Sequence, residues 1–248
     1  MRVSGSVRPD VPERCAFQRF AFVLLVLLAT TSQQAASQAG PDVGANRDDV
    51  RIIISIEERR LWLVAGTDTV LSAPAAVGRD ETVVLNGRRY HFATPRGEHR
   101  VLAKERNPVW IPPDWHYYEV AEAGDLEVVM LERGKRYELG DSTWLEIRDE
   151  QVGRVNRLGE WWPWTPGIEM IFDGKLYVPP FGTAQRSIPG ALGAFKLDLG
   201  DGYLIHGAPD GEKDSIGQAV SHGCVRLDDD ALEQLFEHVD VGTPVYIE

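Results

Sequence analysis

From residue 50 onward the chain alternates short apolar runs with clusters of turn-forming residues. Residues 51–56 (RIIISI) and 61–64 (LWLV) flank the charged stretch 57–60 (EERR), a hairpin pattern. A third strand is expected over 69–77. Residues 83–85 and 88–92 flank Asn86-Gly87, the pair that suits the two φ > 0 positions of a type I′ turn. Thr94-Pro95-Arg96-Gly97 breaks the chain, and 99–103 returns to strand. Residues 107–115 (NPVWIPPDW) are interrupted by proline, which excludes a central strand and predicts a loop packed on the body. Strands follow over 126–131 and 144–147. Residues 187–199 form a glycine-punctuated turn leading into a strand, and 202–206 form the next strand. Over 228–239, Ala231, Leu232, Leu235, Phe236 and Val239 share one helical face. Asp230 with Glu233 resembles a capping box at its start. A last strand is expected over 244–247. The class is mainly β, with one clear helix.

The N-terminus breaks this pattern. Arg2, Arg8, Arg14 and Arg19 precede the apolar run 20–29 (FAFVLLVLLA), and small and polar residues follow to Ala39. That order is a secretory signal, with cleavage expected after Ser37-Gln38-Ala39. The run is shorter than the roughly 20 residues of a membrane span. An uncleaved anchor is the alternative, and contact with the membrane is expected only through it. Residues 40–49 (GPDVGANRDD) read as a polar linker, so the folded body is expected over 50–248.

Composition sharpens this picture in two ways. At 43% hydrophobic and 26% charged, the 248-residue chain can build a core without staples. The net charge is −12, and loss of a leader with four arginines, one aspartate and one glutamate leaves the body more negative still. Such a surface disfavours nucleic acid, whose binding depends on neutralising phosphates. Of the two cysteines, Cys15 precedes the apolar run and leaves with the leader. Cys224 is then a lone thiol in an exported protein, either reactive or linked between molecules.

Cys224 lies in Ser221-His222-Gly223-Cys224-Val225-Arg226, and Ile205-His206-Gly207 stands upstream. A thiol becomes a good nucleophile when an imidazole lowers its pKa and takes its proton. Either His206 or His222 could serve. Gly223 lets a ligand approach the backbone, and the Gly223 and Cys224 amides could hold an oxyanion. Two other readings stay open on residue types alone: zinc held by His206, His222 and Cys224, and plain packing. His91, His99, His116 and His238 have no motif around them and read as surface or packing residues.

This pair of motifs resembles the signature of the L,D-transpeptidase catalytic domain (YkuD-type) family: a histidine, a connecting loop, then Ser/Thr-His-Gly-Cys, a hydrophobic residue and Asn or Arg. Residues 51–64, Thr94-Pro95-Arg96-Gly97, 188–197 and Gly242-Thr243-Pro244-Val245 resemble further family segments in order. The resemblance is weak over about 114–186, which reads as an insertion. It contains Trp161, Trp162 and Trp164, three of the seven tryptophans, which read as a buried mini-core under a long loop or as an exposed aromatic wall; a wall contact, a packing subunit and a lid near the cleft are the alternatives for the stretch.

The resemblance implies a YkuD-like β-sandwich or barrel with one or two short helices and a long insertion. It implies Cys224 as nucleophile, His206 as base and then acid, and the Gly207 carbonyl as the group that orients the imidazole. Ser221, His222, Gly223 and Arg226 would shape the oxyanion and substrate side, with an ion pair to Asp228 or Asp229 as the alternative for Arg226. The implied reaction is acyl transfer on peptidoglycan stem peptides, with release of D-Ala and formation of 3→3 cross-links. Neither cofactor nor metal is implied. Hydrolysis, attachment of a wall lipoprotein, and an inactive wall-binding module are the alternatives. The implied location is the periplasm or cell envelope.

Overall fold

The structure is a computed structural model that describes residues 49–248. The signal expected over 1–39 lies outside the described residues, as does all but the last residue of the linker.

Two sheets and a helix enclose the main core. The first sheet has five strands in the order Asp68–Pro74, Arg60–Ala65, Val50–Ser55, Pro244–Ile247 and Gly97–Arg100. Its first two strands in sequence form the expected hairpin. Val50–Ser55 also pairs in parallel with Pro244–Ile247, which joins the two ends of the described chain. The second sheet has four strands in the order Val225–Leu227, Tyr203–Gly207, Phe195–Gly200 and Ala103–Arg106.

Among the described residues there are two α-helices, α1 (Asp114–Gly124) and α2 (Asp229–His238). Helix α2 packs with the second sheet. Ile52, Ile54, Leu61 and Leu63 from the first sheet meet Leu197, Ile205, Val225 and Leu227 from the second and Leu232, Leu235 and Phe236 from α2. Each such side chain contributes about 1.5–3 kcal/mol when removed from water. Lys104 fixes the far end of α2, its Nζ donating to the Phe236 carbonyl at 2.6 Å. A cation there also opposes the negative end of the helix dipole.

Most expected elements are present. Asn86 and Gly87 have φ of 47° and 73° and join Glu81–Leu85 to Arg88–Phe92, as the type I′ reading requires. The strand expected over 99–103 is divided between Gly97–Arg100 and Ala103–Arg106, which lie in different sheets. The α2 cap is shifted. Asp228, not Asp230, is the N-cap, and its carboxylate accepts the Ala231 N–H at 2.9 Å. The chain is still extended at Asp228, so its side chain can reach back over the first turn.

The stretch 114–186 holds more regular structure than its sequence pattern predicts. Helix α1 opens it. Seven strands follow: Glu127–Met130, Tyr137–Leu139, Thr143–Arg148, Gln151–Val155, Trp161–Pro163, Met170–Phe172 and Lys175–Val178. They form a three-stranded and a four-stranded sheet. These share a second core of Leu131, Leu139, Leu145, Val152, Met170 and Tyr177. Trp161, Trp162 and Trp164 belong to this part. Trp161 lies across Gly153, where a Cβ would fall 2.3 Å from its ring. Trp164 packs against the second core and donates its indole N–H to the Ile168 carbonyl at 2.9 Å.

Arg186 ties the start of α1 to the end of the insertion. It is buried, yet its Nε and Nη1 donate to the carbonyls of Pro112 and Pro179 at 2.8 Å, and Nη2 meets the Asp114 carboxylate at 2.6 Å. A buried guanidinium is tolerable when its donors are used in this way.

The cap assignment is testable by urea denaturation. Asp228→Ala should lower stability by about 1 kcal/mol, whereas Asp230→Ala should change it by less than about 0.5 kcal/mol.

Candidate active site

The strands bearing the two motifs lie side by side. Tyr203–Gly207 and Val225–Leu227 pair in parallel, with Ile205 opposite Val225, His206 opposite Arg226 and Gly207 opposite Leu227. Ile205, Val225 and Leu227 face the main core. Side chains alternate along a strand, so His206 and Arg226 share the other face. Cys224, two residues before Arg226, enters its strand on that same face.

His206 is buried, and its Nδ1–H donates to the Gly207 carbonyl at 2.6 Å. A carbonyl can only accept, so the proton sits on Nδ1 and Nε2 keeps its lone pair. The Gly207 amide in turn donates to the Leu192 carbonyl at 2.9 Å, which steadies the peptide that orients the ring. Burial, reinforced by the Arg226 guanidinium, pushes the imidazole pKa down to about 4, against the opposing pull of the Gly207 hydrogen bond.

Cys224 is partly buried, and its Sγ lies 3.8 Å from the Gly202 carbonyl. Its turn is held by two hydroxyls. Ser221 Oγ donates to the Cys224 carbonyl at 2.6 Å and accepts the Gly223 N–H at 3.1 Å. The Gly223 N–H thus has an acceptor within the turn. Thr94 Oγ1 donates to the Gly223 carbonyl at 2.9 Å and accepts the Gly78 N–H at 2.8 Å. Gly223 has φ of 132°, and a Cβ there would fall 2.8 Å from the Tyr203 ring and 3.0 Å from the Ala93 carbonyl. Only glycine fits.

His222 faces α1. Its ring stacks on Trp115 at 4.3 Å between centroids, and Phe92 meets it edge-on at 4.6 Å. Its Nε2–H donates to Glu119 Oε2 at 2.7 Å, while Glu119 Oε1 receives Arg79 Nη2 at 2.8 Å. Arg226 makes neither ion pair expected from the sequence. Its Nη1 pairs with Glu212 in the loop between the motifs, while Asp228 caps α2 and Asp229 pairs with Lys213. Among the described residues, no three His, Cys, Asp or Glu side chains are grouped to hold a metal.

A family model described as the L,D-transpeptidase catalytic domain (YkuD) matches residues 49–247, which include both motifs and the insertion. The chain belongs to this family. Among curated relatives, a probable L,D-transpeptidase ErfK/SrfK of Salmonella typhimurium is 33% identical over 34% of this chain and 31% of its own length. A probable L,D-transpeptidase YbiS of Escherichia coli is 37% identical over 33% of this chain and 26% of its own length. The matched stretches thus span about a third or less of those relatives. A solved L,D-transpeptidase from Mycobacterium smegmatis is 18% identical, covering 81% of this chain and 58% of that one, with a TM-score of 0.42.

In this L,D-transpeptidase-family chain, the thiol and imidazole are both neutral at rest. Burial pushes the Cys224 thiol up from its ordinary value, more than the Leu204 backbone hydrogen bond and the Arg226 charge bring it down. The same burial holds His206 neutral down to about pH 4. This departs from the expectation that the imidazole lowers the thiol pKa in advance. His206 is buried and Cys224 partly so, which disfavours an ion pair between them at rest.

Several supporting groups have no motif in the sequence. Thr94 stands out only as part of a turn, though its family-like context is a signal. Trp115 and Glu119 sit in the insertion, more than a hundred positions from the residue they hold. Only the tertiary fold brings them there.

The charge state can be read from alkylation of Cys224 by iodoacetamide in the absence of substrate. The rate constant should climb with pH, with a midpoint above the roughly 8.5 of a free thiol. A rate constant that is high and flat from pH 5 to 8 would show a preformed thiolate–imidazolium pair instead.

Proposed function

We propose that this protein is an exported L,D-transpeptidase that acts on peptidoglycan stem peptides through a Cys224 thioester. One observation carries the reading. Within a chain of this family, the His206 ring is held by the Gly207 carbonyl with Nε2 unprotonated, on the strand next to the one that leaves Cys224. The relatives named as probable L,D-transpeptidases support the same reaction class.

The steps follow from the neutral pair. His206 Nε2 takes the thiol proton as Sγ forms a bond to the carbonyl carbon at the L-centre of the third stem residue. The neutral start means that the proton leaves during attack, so the charge is never isolated in the buried site. The C–N bond to D-Ala then breaks, and the imidazolium returns its proton to the departing amine. This leaves a thioester. The side-chain amine of a second stem attacks it, gives up a proton to His206, and expels Cys224 sulfur. The sulfur recovers its proton, and a 3→3 cross-link is formed. No cofactor enters the sequence of steps.

Ser221 and Thr94 act on the turn that carries the nucleophile, and Arg226 acts on the charge near it. With His206 neutral above about pH 4, the base is available throughout the neutral range. Export is consistent with a substrate outside the cytoplasmic membrane, and with a basic, then apolar, then small-residue leader.

Mass spectrometry of products from a defined tetrapeptide stem tests the reading. Wild type should release D-Ala, and with an amine-bearing acceptor stem present it should yield the 3→3 dimer. Cys224→Ala should keep its fold and lose both products. Release of D-Ala without any dimer would instead assign hydrolysis, and full activity in Cys224→Ala would exclude the thiol route.

A further inference from the structure

The insertion reaches the nucleophile's turn through one carboxylate. Glu119 projects from α1 and spans two segments of the body. One oxygen receives Arg79, which follows the short strand Val77–Gly78. The other receives His222, two residues before Cys224. Those two segments are themselves joined, since the Arg79 N–H donates to the Ser221 carbonyl at 3.0 Å. Trp115, one turn earlier on α1, covers the face of the His222 ring, and Phe92 closes its edge. The imidazole is thus fixed in position, in orientation and in tautomer. An isolated aromatic stack would fix only the plane, and an isolated ion pair at such partly exposed groups would contribute little.

We propose that Glu119 is a positioning residue for the reaction, acting through His222 to set the turn that presents Cys224. The proposal rests on the L,D-transpeptidase reading above. It gives the insertion a role as a brace, anchored by Arg186 through Asp114 at the start of α1, that holds one side of the nucleophile's turn. The other side is held from the body by Thr94. A turn containing a glycine in the φ > 0 region has backbone freedom to lose. A misplacement of the reacting sulfur of about 1 Å can cost about 100-fold in rate.

The test compares wild type, Glu119→Ala and Glu119→Gln by two measurements. These are kcat and KM for release of D-Ala from a tetrapeptide stem, and the imidazole 15N signals of His222 in the substrate-free protein. Glu119→Ala should lose about 10- to 100-fold in kcat with KM little changed. His222 should pass from a fixed Nε2–H form to exchanging tautomers. Glu119→Gln, whose amide oxygen can still accept from His222 but whose NH2 opposes Arg79, should fall between. An unchanged kcat in Glu119→Ala would overturn the proposal, as would a loss of kcat with His222 signals unmoved. Should the transpeptidase reading itself fail, wild type will show no turnover. The His222 signals then decide alone: a change in Glu119→Ala upholds the brace, and no change overturns it.

Discussion

The parallel pairing of Tyr203–Gly207 with Val225–Leu227 is the constraint on which the candidate site depends. Parallel neighbours cannot be joined by a tight turn. The chain must leave the sheet after Gly207, cross residues 208–224, and return beside the strand it left. That crossover is what separates the two motifs in sequence and brings them together in space. Its register is set by burial. Ile205, Val225 and Leu227 all enter the main core, and a slip of one residue would turn them outward and His206 and Arg226 inward. The geometry of the site is therefore specified by apolar residues that take no part in its chemistry.

The same burial decides the charge state of the pair. A buried imidazole and a partly buried thiol both favour their neutral forms. Arg226 lies close enough to influence both, and its charge lowers both pKa values: it disfavours a charged imidazole and favours a charged thiol. Its own charge is met by Glu212 in the crossover loop. At rest, His206 thus has a lone pair available on Nε2, and burial favours the protonated form of Cys224.

Much of this was legible in the sequence, and the reasons are local. The Asn86-Gly87 hairpin, the opening strands and the apolar face of α2 each follow from periodicity or turn chemistry within a few residues. The two motifs were legible because their residue types are rare in combination. What was not legible depends on contacts between distant segments. Helix α1 carries no single apolar stripe. Tyr117 and Ala121 face one cluster and Tyr118 another, so its pattern does not show the usual helical period. The tryptophans at 161, 162 and 164 drew attention by their number, whereas the one that stacks on the site is Trp115. The cap of α2 was misplaced by two residues because three aspartates stand in a row, and only the backbone conformation distinguishes Asp228 from Asp230.

The account stands or falls on covalent chemistry at Cys224. Its most direct measurement is the intact mass of wild-type protein quenched in acid during turnover of a tetrapeptide stem, followed by peptide mapping. The account predicts a species heavier by the donor less D-Ala, with the added mass on Cys224. Turnover that proceeds with no adduct on Cys224 would contradict it.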